Sequence, residues 1–143
     1  MYHHTQPATV TRYAGVAALA VAAYTLVELG SRPVLWLLVA GAVLGILAFG
    51  SMTVEVDHHR FTFRFGPGWI RRSFPLDEIK AWRAVRNPWW YGWGIHLTPH
   101  GWLYNVGGTG AVQLELRDGR RLRVGTDEPE RLCEAIKVMK GAA

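Results

Sequence analysis

Two rhythms of apolar residues divide the chain. From Tyr13 to Met52 the apolar positions run on with no polar face, and only Glu28 and Arg32 carry charge. From Thr53 onward the pattern switches to alternation. Met52, Val54 and Val56 alternate with Thr53, Glu55 and Asp57, and Phe61, Phe63 and Phe65 with Arg60, Thr62 and Arg64. Uninterrupted apolar runs of about 18 residues read as membrane-spanning helices, and strict alternation reads as half-buried strands.

The first half predicts a two-helix transmembrane hairpin over 13–52, with helices at about 13–30 and 34–52, preceded by a short N-terminal tail at 1–12. Each helix would be about 27–29 Å long at about 1.5 Å per residue, close to a hydrocarbon core of about 30 Å. The connector Glu28-Leu29-Gly30-Ser31-Arg32-Pro33 holds both charges, a glycine breaker and a proline suited to a first helical turn. A signal peptide would need cleavage near Ala20-Val21-Ala22, yet the apolar run continues through Val27 and a second span follows. Small residues recur at helical spacing, and Gly41 and Gly45 form a G-x-x-x-G suited to close helix packing, of the hairpin on itself or on another copy in a homo-oligomer. Arg32 is the one basic residue in the connector. Arg12, Arg60, Arg64, Arg71 and Arg72 flank the spans on the other side, so positive-inside reasoning puts both termini in the cytoplasm.

The second half predicts a mainly-β domain over 53–143, about seven antiparallel strands closed by a C-terminal helix at about 127–140. Breaks at Gly66-Pro67-Gly68, Asn87-Pro88, Pro99-His100-Gly101, Gly107-Gly108-Thr109-Gly110 and Asp118-Gly119 separate the strands. Pro75 to Ile79 reads as a short helical turn. Asp127 and Glu130 read as a helix-start cap, and Leu132, Ile136 and Met139 as the buried stripe of the helix.

Composition sharpens this division. The chain has 143 residues, 50% hydrophobic and 19% charged, yet a mean hydropathy of only +0.06, because 25 of the 27 charged residues lie outside Tyr13–Met52. Residues 53–143 carry 14 Lys plus Arg against 10 Asp plus Glu. Of seven tryptophans only Trp36 lies in a predicted span.

Candidate chemistry is sparse. His96 and His100 sit on an extended segment about 13 Å apart, and no metal-ligand spacing occurs. The glycine run at 107–110 lacks the Lys-Ser/Thr of a phosphate loop. Cys133 is the lone cysteine, and no nucleophile has a base and an orienting partner. The sequence therefore reads as non-enzymatic, with no cofactor and no nucleic-acid partner. Two features stand out for binding. Trp89, Trp90, Tyr91 and Trp93 crowd one loop, with the amphipathic rings favoured at a membrane–water boundary. Arg60, Arg64, Arg71 and Arg72 offer positive charge to anionic lipid, at about 1 kcal/mol per residue.

The strings Trp93-Gly94-Ile95, Trp102-Leu103-Tyr104-Asn105-Val106, Leu114-Glu115-Leu116-Arg117-Asp118-Gly119-Arg120-Arg121 and Gly125-Thr126-Asp127-Glu128-Pro129-Glu130-Arg131-Leu132 resemble those of small bacterial membrane proteins that carry a pleckstrin-homology-like (PH-like) domain after two transmembrane helices. The resemblance covers about Thr53–Lys140. It implies a PH-like fold in a multi-pass protein of the cell inner membrane, whose cytoplasmic domain is an interaction or assembly module for a protein partner. Phosphoinositide-binding PH domains use a basic first hairpin, whereas this one reads Asp57-His58-His59-Arg60-Phe61-Thr62-Phe63-Arg64 and lacks their Lys and alternating Arg pair. A generic basic face is the expectation here. The alternative expectation is an accessory subunit of a membrane transport or secretion complex, acting through the hairpin.

Overall fold

In the computed structural model, which describes residues 1–141, the chain forms nine strands and three helices, the first two from the apolar stretch. The order is β1 (Tyr2–Pro7), α1 (Thr9–Leu29), α2 (Pro33–Phe49), β2 (Ser51–Val56), β3 (Arg60–Phe65), β4 (Ile70–Pro75), β5 (Ile79–Arg86), β6 (Gly94–Thr98), β7 (Gly101–Asn105), β8 (Gly110–Leu116), β9 (Arg121–Gly125) and α3 (Pro129–Gly141). Short 3-10 turns lie at Leu76–Glu78 and Trp89–Tyr91.

The strands form two sheets, ordered β1-β2-β3-β4 and β5-β8-β9-β7-β6. Their facing sides make the core. Phe61, Phe63 and Phe65 are fully buried, with Met52, Val54 and Val56 beside them. Across the interface stand Tyr104, Val112, Leu114, Leu122 and Val124 of the five-stranded sheet. The Phe63 and Tyr104 rings meet at 4.7 Å between centroids. Leu132 and Ile136 of α3 are fully buried and seal the core. Trp82 ties α3 to β5 by donating from Nε1 to the Cys133 carbonyl at 3.1 Å.

Besides a count of nine strands among the described residues rather than about seven, and an earlier end to the second helix, three features differ from the sequence expectation. Residues 2–7 lie in the expected tail but pair with β2 along their whole length, from Tyr2↔Val56 to Pro7↔Ser51. The β-rich module is thus assembled from both sides of the helices. The core-side positions of β1 are Tyr2, His4 and Gln6, so no apolar alternation announces it. Second, the strands are not all antiparallel: β7 runs parallel to β9. This arises because β8 and β9 form a hairpin that inserts between β5 and β7. Third, α3 begins at Pro129 rather than 127. Thr126 Oγ1 accepts from the Glu128 amide at 3.1 Å, and the Asp127 carboxylate turns away to His4 Nε2 at 2.6 Å.

α1 has 21 residues and is long and apolar enough to cross a bilayer by length and composition. α2 has 17 residues, about 25 Å at about 1.5 Å per residue, and stops at Phe49 rather than near 52. The strand alternation has already taken hold at Met52, and β2 claims Ser51 onward. On α1 only Ala22 is buried, and on α2 no residue is. The helices pack against each other at Gly15, where an added Cβ would collide with the Ile46 side chain.

Candidate functional site

The junction between helices and sheets has no linker. Pro7 ends β1 and Thr9 starts α1, while Phe49 ends α2 and Ser51 starts β2. The Ala8 amide donates to the Gly50 carbonyl at 2.9 Å, and Arg12 Nε donates to the same oxygen at 2.9 Å. Phe49 packs edge-on against the buried Phe65 ring at 5.7 Å. These contacts fix the helices to the four-stranded sheet at its Gln6–Met52–Phe65–Ile70 end.

Two loops reach this helix base. The β3–β4 turn, Gly66 to Trp69, lies against the end of α2, and the Gly66 amide donates to the Ser51 carbonyl at 2.9 Å. Gly66 has φ +50°, and a Cβ there would press on the Leu47 and Ala48 carbonyls, so only glycine fits. Trp69, next along, is exposed. On the other side Trp93, Gly94 and Ile95 share a cleft of about 390 Å³ with Thr11, Gly45 and Phe49. A half-exposed tryptophan thus stands beside the last turns of α2.

The arginine set divides. Arg64 and Arg71 are cross-strand partners one row above the helix base. Directly opposed like charges repel, and Glu55 relieves this pair by approaching Arg64 Nη2 to 3.4 Å. Arg72 is exposed on the opposite face of β4, in register with Phe63. Arg60 pairs with Pro75 at the far end, about 13 Å from the Arg64 row at about 3.3 Å per residue. Arg12 belongs with Arg64 and Arg71 by position. It was legible in the sequence only as a flanking charge.

The tryptophan loop also divides. Trp89 and Trp90 are 80% and 67% exposed and stack edge-to-face at 6.0 Å, with Tyr91 edge-to-face on Trp90 at 6.4 Å. The loop backbone lies over the outer face of the five-stranded sheet, where Asn105 Nδ2 donates to the Gly92 carbonyl at 3.4 Å. The Trp89 and Trp90 rings therefore face outward, while Tyr91 is half-buried. Of the four aromatics only Trp93 borders the helix base. The expected packing residues Gly41 and Gly45 meet nothing within 4 Å of a built Cβ. Gly15 makes the close approach within the chain, without a second glycine four residues away.

Beneath the loop lies a residue that sequence reasoning missed. Arg123 is 5% exposed, its Nε donating to Gln113 Oε1 at 3.1 Å and its Nη1 to Asn87 Oδ1 at 2.9 Å. Burial draws its pKa below the ordinary arginine range, a pull that Tyr91 opposes and the nearby Arg83 reinforces. In the sequence it sits in the alternation of β9 as one more outward residue.

Burial, reinforced by Glu130, raises the Cys133 thiol above its usual range, which disfavours the thiolate. Among the described residues no group of three metal-ligating side chains comes together. No protein-family model matches the chain, and no curated protein matches it.

Proposed function

We propose that this chain is a non-enzymatic membrane protein in which both helices span the bilayer and hold a PH-like interaction module directly against its cytoplasmic surface. The linker-free junction is the observation that carries the reading: a module fixed through Ala8, Arg12 and Gly50 cannot drift from the membrane. Exposed apolar side chains along both helices support it. Val21, Tyr24 and Val27 on α1 and Leu37, Leu38 and Leu44 on α2 are all more than half exposed, a surface that water would penalise at about 25 cal/mol per Å². Lipid removes that penalty. The sheets, the closing helix and the resemblance to PH-like membrane proteins support an interaction platform in the inner membrane, with both termini cytoplasmic.

Trp69 and Trp93 flank the helix base, and Arg12, Arg64 and Arg71 lie at or one row above it. Amphipathic rings and basic side chains at one level suit the interface of an anionic leaflet. Arg60 lies about 13 Å from the Arg64 row at about 3.3 Å per residue, and Arg72, one residue beyond Arg71, is on the opposite face of β4. The test uses the full chain in nanodiscs whose lipids are brominated near the glycerol end. The expected result is quenching that Trp69→Phe and Trp93→Phe together reduce, while Trp89→Phe leaves it unchanged. Quenching that is indifferent to the first pair contradicts the reading.

A further inference from the structure

The outer face of the five-stranded sheet carries a charge the proposed function does not use. Arg83, Gln113, Arg123, Leu103 and His96 occupy one row across it. In the middle of that row Arg123 is buried and held by two neutral side chains. Among the described residues no carboxylate pairs with it. The nearest acid along the sheet, Glu115, is two residues further along β8 and is engaged by Lys80 and Arg121, each at 3.6 Å. Fixing a guanidinium out of water without a counter-ion is unfavourable unless an acceptor completes it.

A second, independent feature sits on the same spot. Asn87 is 3% exposed, and its Oδ1 is occupied by Arg123, but its Nδ2 has no hydrogen-bond partner. A buried orphan donor thus lies beside a buried cation whose two side-chain acceptors are both neutral amides. Arg83, exposed on β5 two strands away, flanks a groove of about 320 Å³ that it shares with Gln113, Glu115 and Arg121. The Arg83 and Arg123 backbones are two strand spacings apart, about 9–10 Å, which two arginine side chains span easily. The unfilled buried group here, Asn87 Nδ2, is a donor.

We propose that Arg123, Asn87 and Arg83 bind a small phosphate-type oxyanion on this face, beneath the Trp89–Tyr91 turn. Arg123 and Asn87 form the fixed floor and Arg83 the mobile rim. An arginine already oriented by Gln113 loses little freedom on binding, and its planar donors match phosphate oxygens. The phosphate is either free in solution or the headgroup of a lipid.

The experiment titrates the full chain in nanodiscs at constant ionic strength, following tryptophan fluorescence and thermal midpoint. One arm adds inorganic phosphate to phosphatidylcholine discs; the other replaces part of the lipid with phosphatidate. The site predicts a saturable response in at least one arm. A response to inorganic phosphate identifies free phosphate as the source, and a response only to phosphatidate identifies the headgroup. Asn87→Asp supplies an internal carboxylate 2.9 Å from Nη1 and is expected to weaken binding at least about tenfold while leaving the fold intact. Arg83→Gln alters only the exposed rim and is expected to weaken binding severalfold; it decides the matter if Asn87→Asp misfolds. No response in either arm, or a response that Arg83→Gln leaves unchanged, overturns the site.

Discussion

The contact between Phe63 and Tyr104 joins the two sheets, and its removal has a calculable effect. Phe63 is fully buried, 4.7 Å from Tyr104 and within 6.4 Å of Phe65 and Phe74. Truncation to alanine removes a whole ring from a site walled by other rings, which collapse poorly. The cost expected is about 3–5 kcal/mol, a large part of the roughly 5–15 kcal/mol a domain possesses. At about 4–8 °C per kcal/mol, the midpoint falls on the order of 20 °C. Leucine substitutions isolate the contact itself: Phe63→Leu and Tyr104→Leu keep most of the volume, at below about 1.5 kcal/mol each. Their double-mutant cycle, measured by urea unfolding of the full chain in detergent with near-ultraviolet circular dichroism, is expected to give about 0.5–1.5 kcal/mol of coupling. Coupling below about 0.3 kcal/mol, the ordinary error of additivity, would refute the stacking of the two sheets through these rings.

Other consequences are as direct. Gly15→Leu drives a side chain into Ile46 and is expected to lower the thermal midpoint in detergent. Gly41→Leu and Gly45→Leu meet open space, so in the monomer they change stability by less than about 0.5 kcal/mol, and any effect appears in crosslinked dimer yield. Tyr2 is pushed up to about 12 by burial and then by Glu128. Its contribution is therefore intact below the ordinary value of 10.0 and is lost as pH rises towards 12; Tyr2→Phe removes that alkaline transition from a stability–pH profile. Asp57 is held below its ordinary range by the His59 and Arg60 amides, each donating at 2.7 Å. That contribution is present above the usual carboxylate pKa of 3.8 and fades as pH falls through the lowered value. Asp57→Asn is thus destabilising at neutral pH, and its deficit shrinks as pH falls through that lowered value.

The sequence disclosed those parts whose periodicity reflects burial. β3 was legible because one face of Arg60–Phe65 meets a core and the other meets water, and α3 because Leu132 and Ile136 repeat at helical spacing. β1 was not. An edge strand gains its place from backbone pairing and from polar side-chain bonds such as Gln6 Nε2 to the Gly107 carbonyl at 3.1 Å, neither of which imposes an apolar rhythm. The parallel pairing of β7 with β9 is a property of strand order, which local pattern does not encode. At the helix base, Trp93 and Arg64 were found by residue type, but only the fold separates them from Trp89, Trp90 and Arg60. Arg123 was hidden because alternation assigns a face and says nothing of what later folds over it.

The central claim is that both helices cross the bilayer, so that the α1–α2 connector and the sheets lie on opposite sides. It is tested most directly by thiol accessibility in intact cells, in a Cys133→Ser background. Ser31→Cys marks the connector, and Asp118→Cys marks the exposed β8–β9 turn. The account predicts that a membrane-impermeant maleimide labels the connector thiol from outside, and the turn thiol only after the cells are permeabilised. Labelling of both thiols in the same preparations would place the connector and the sheets on one side and contradict it.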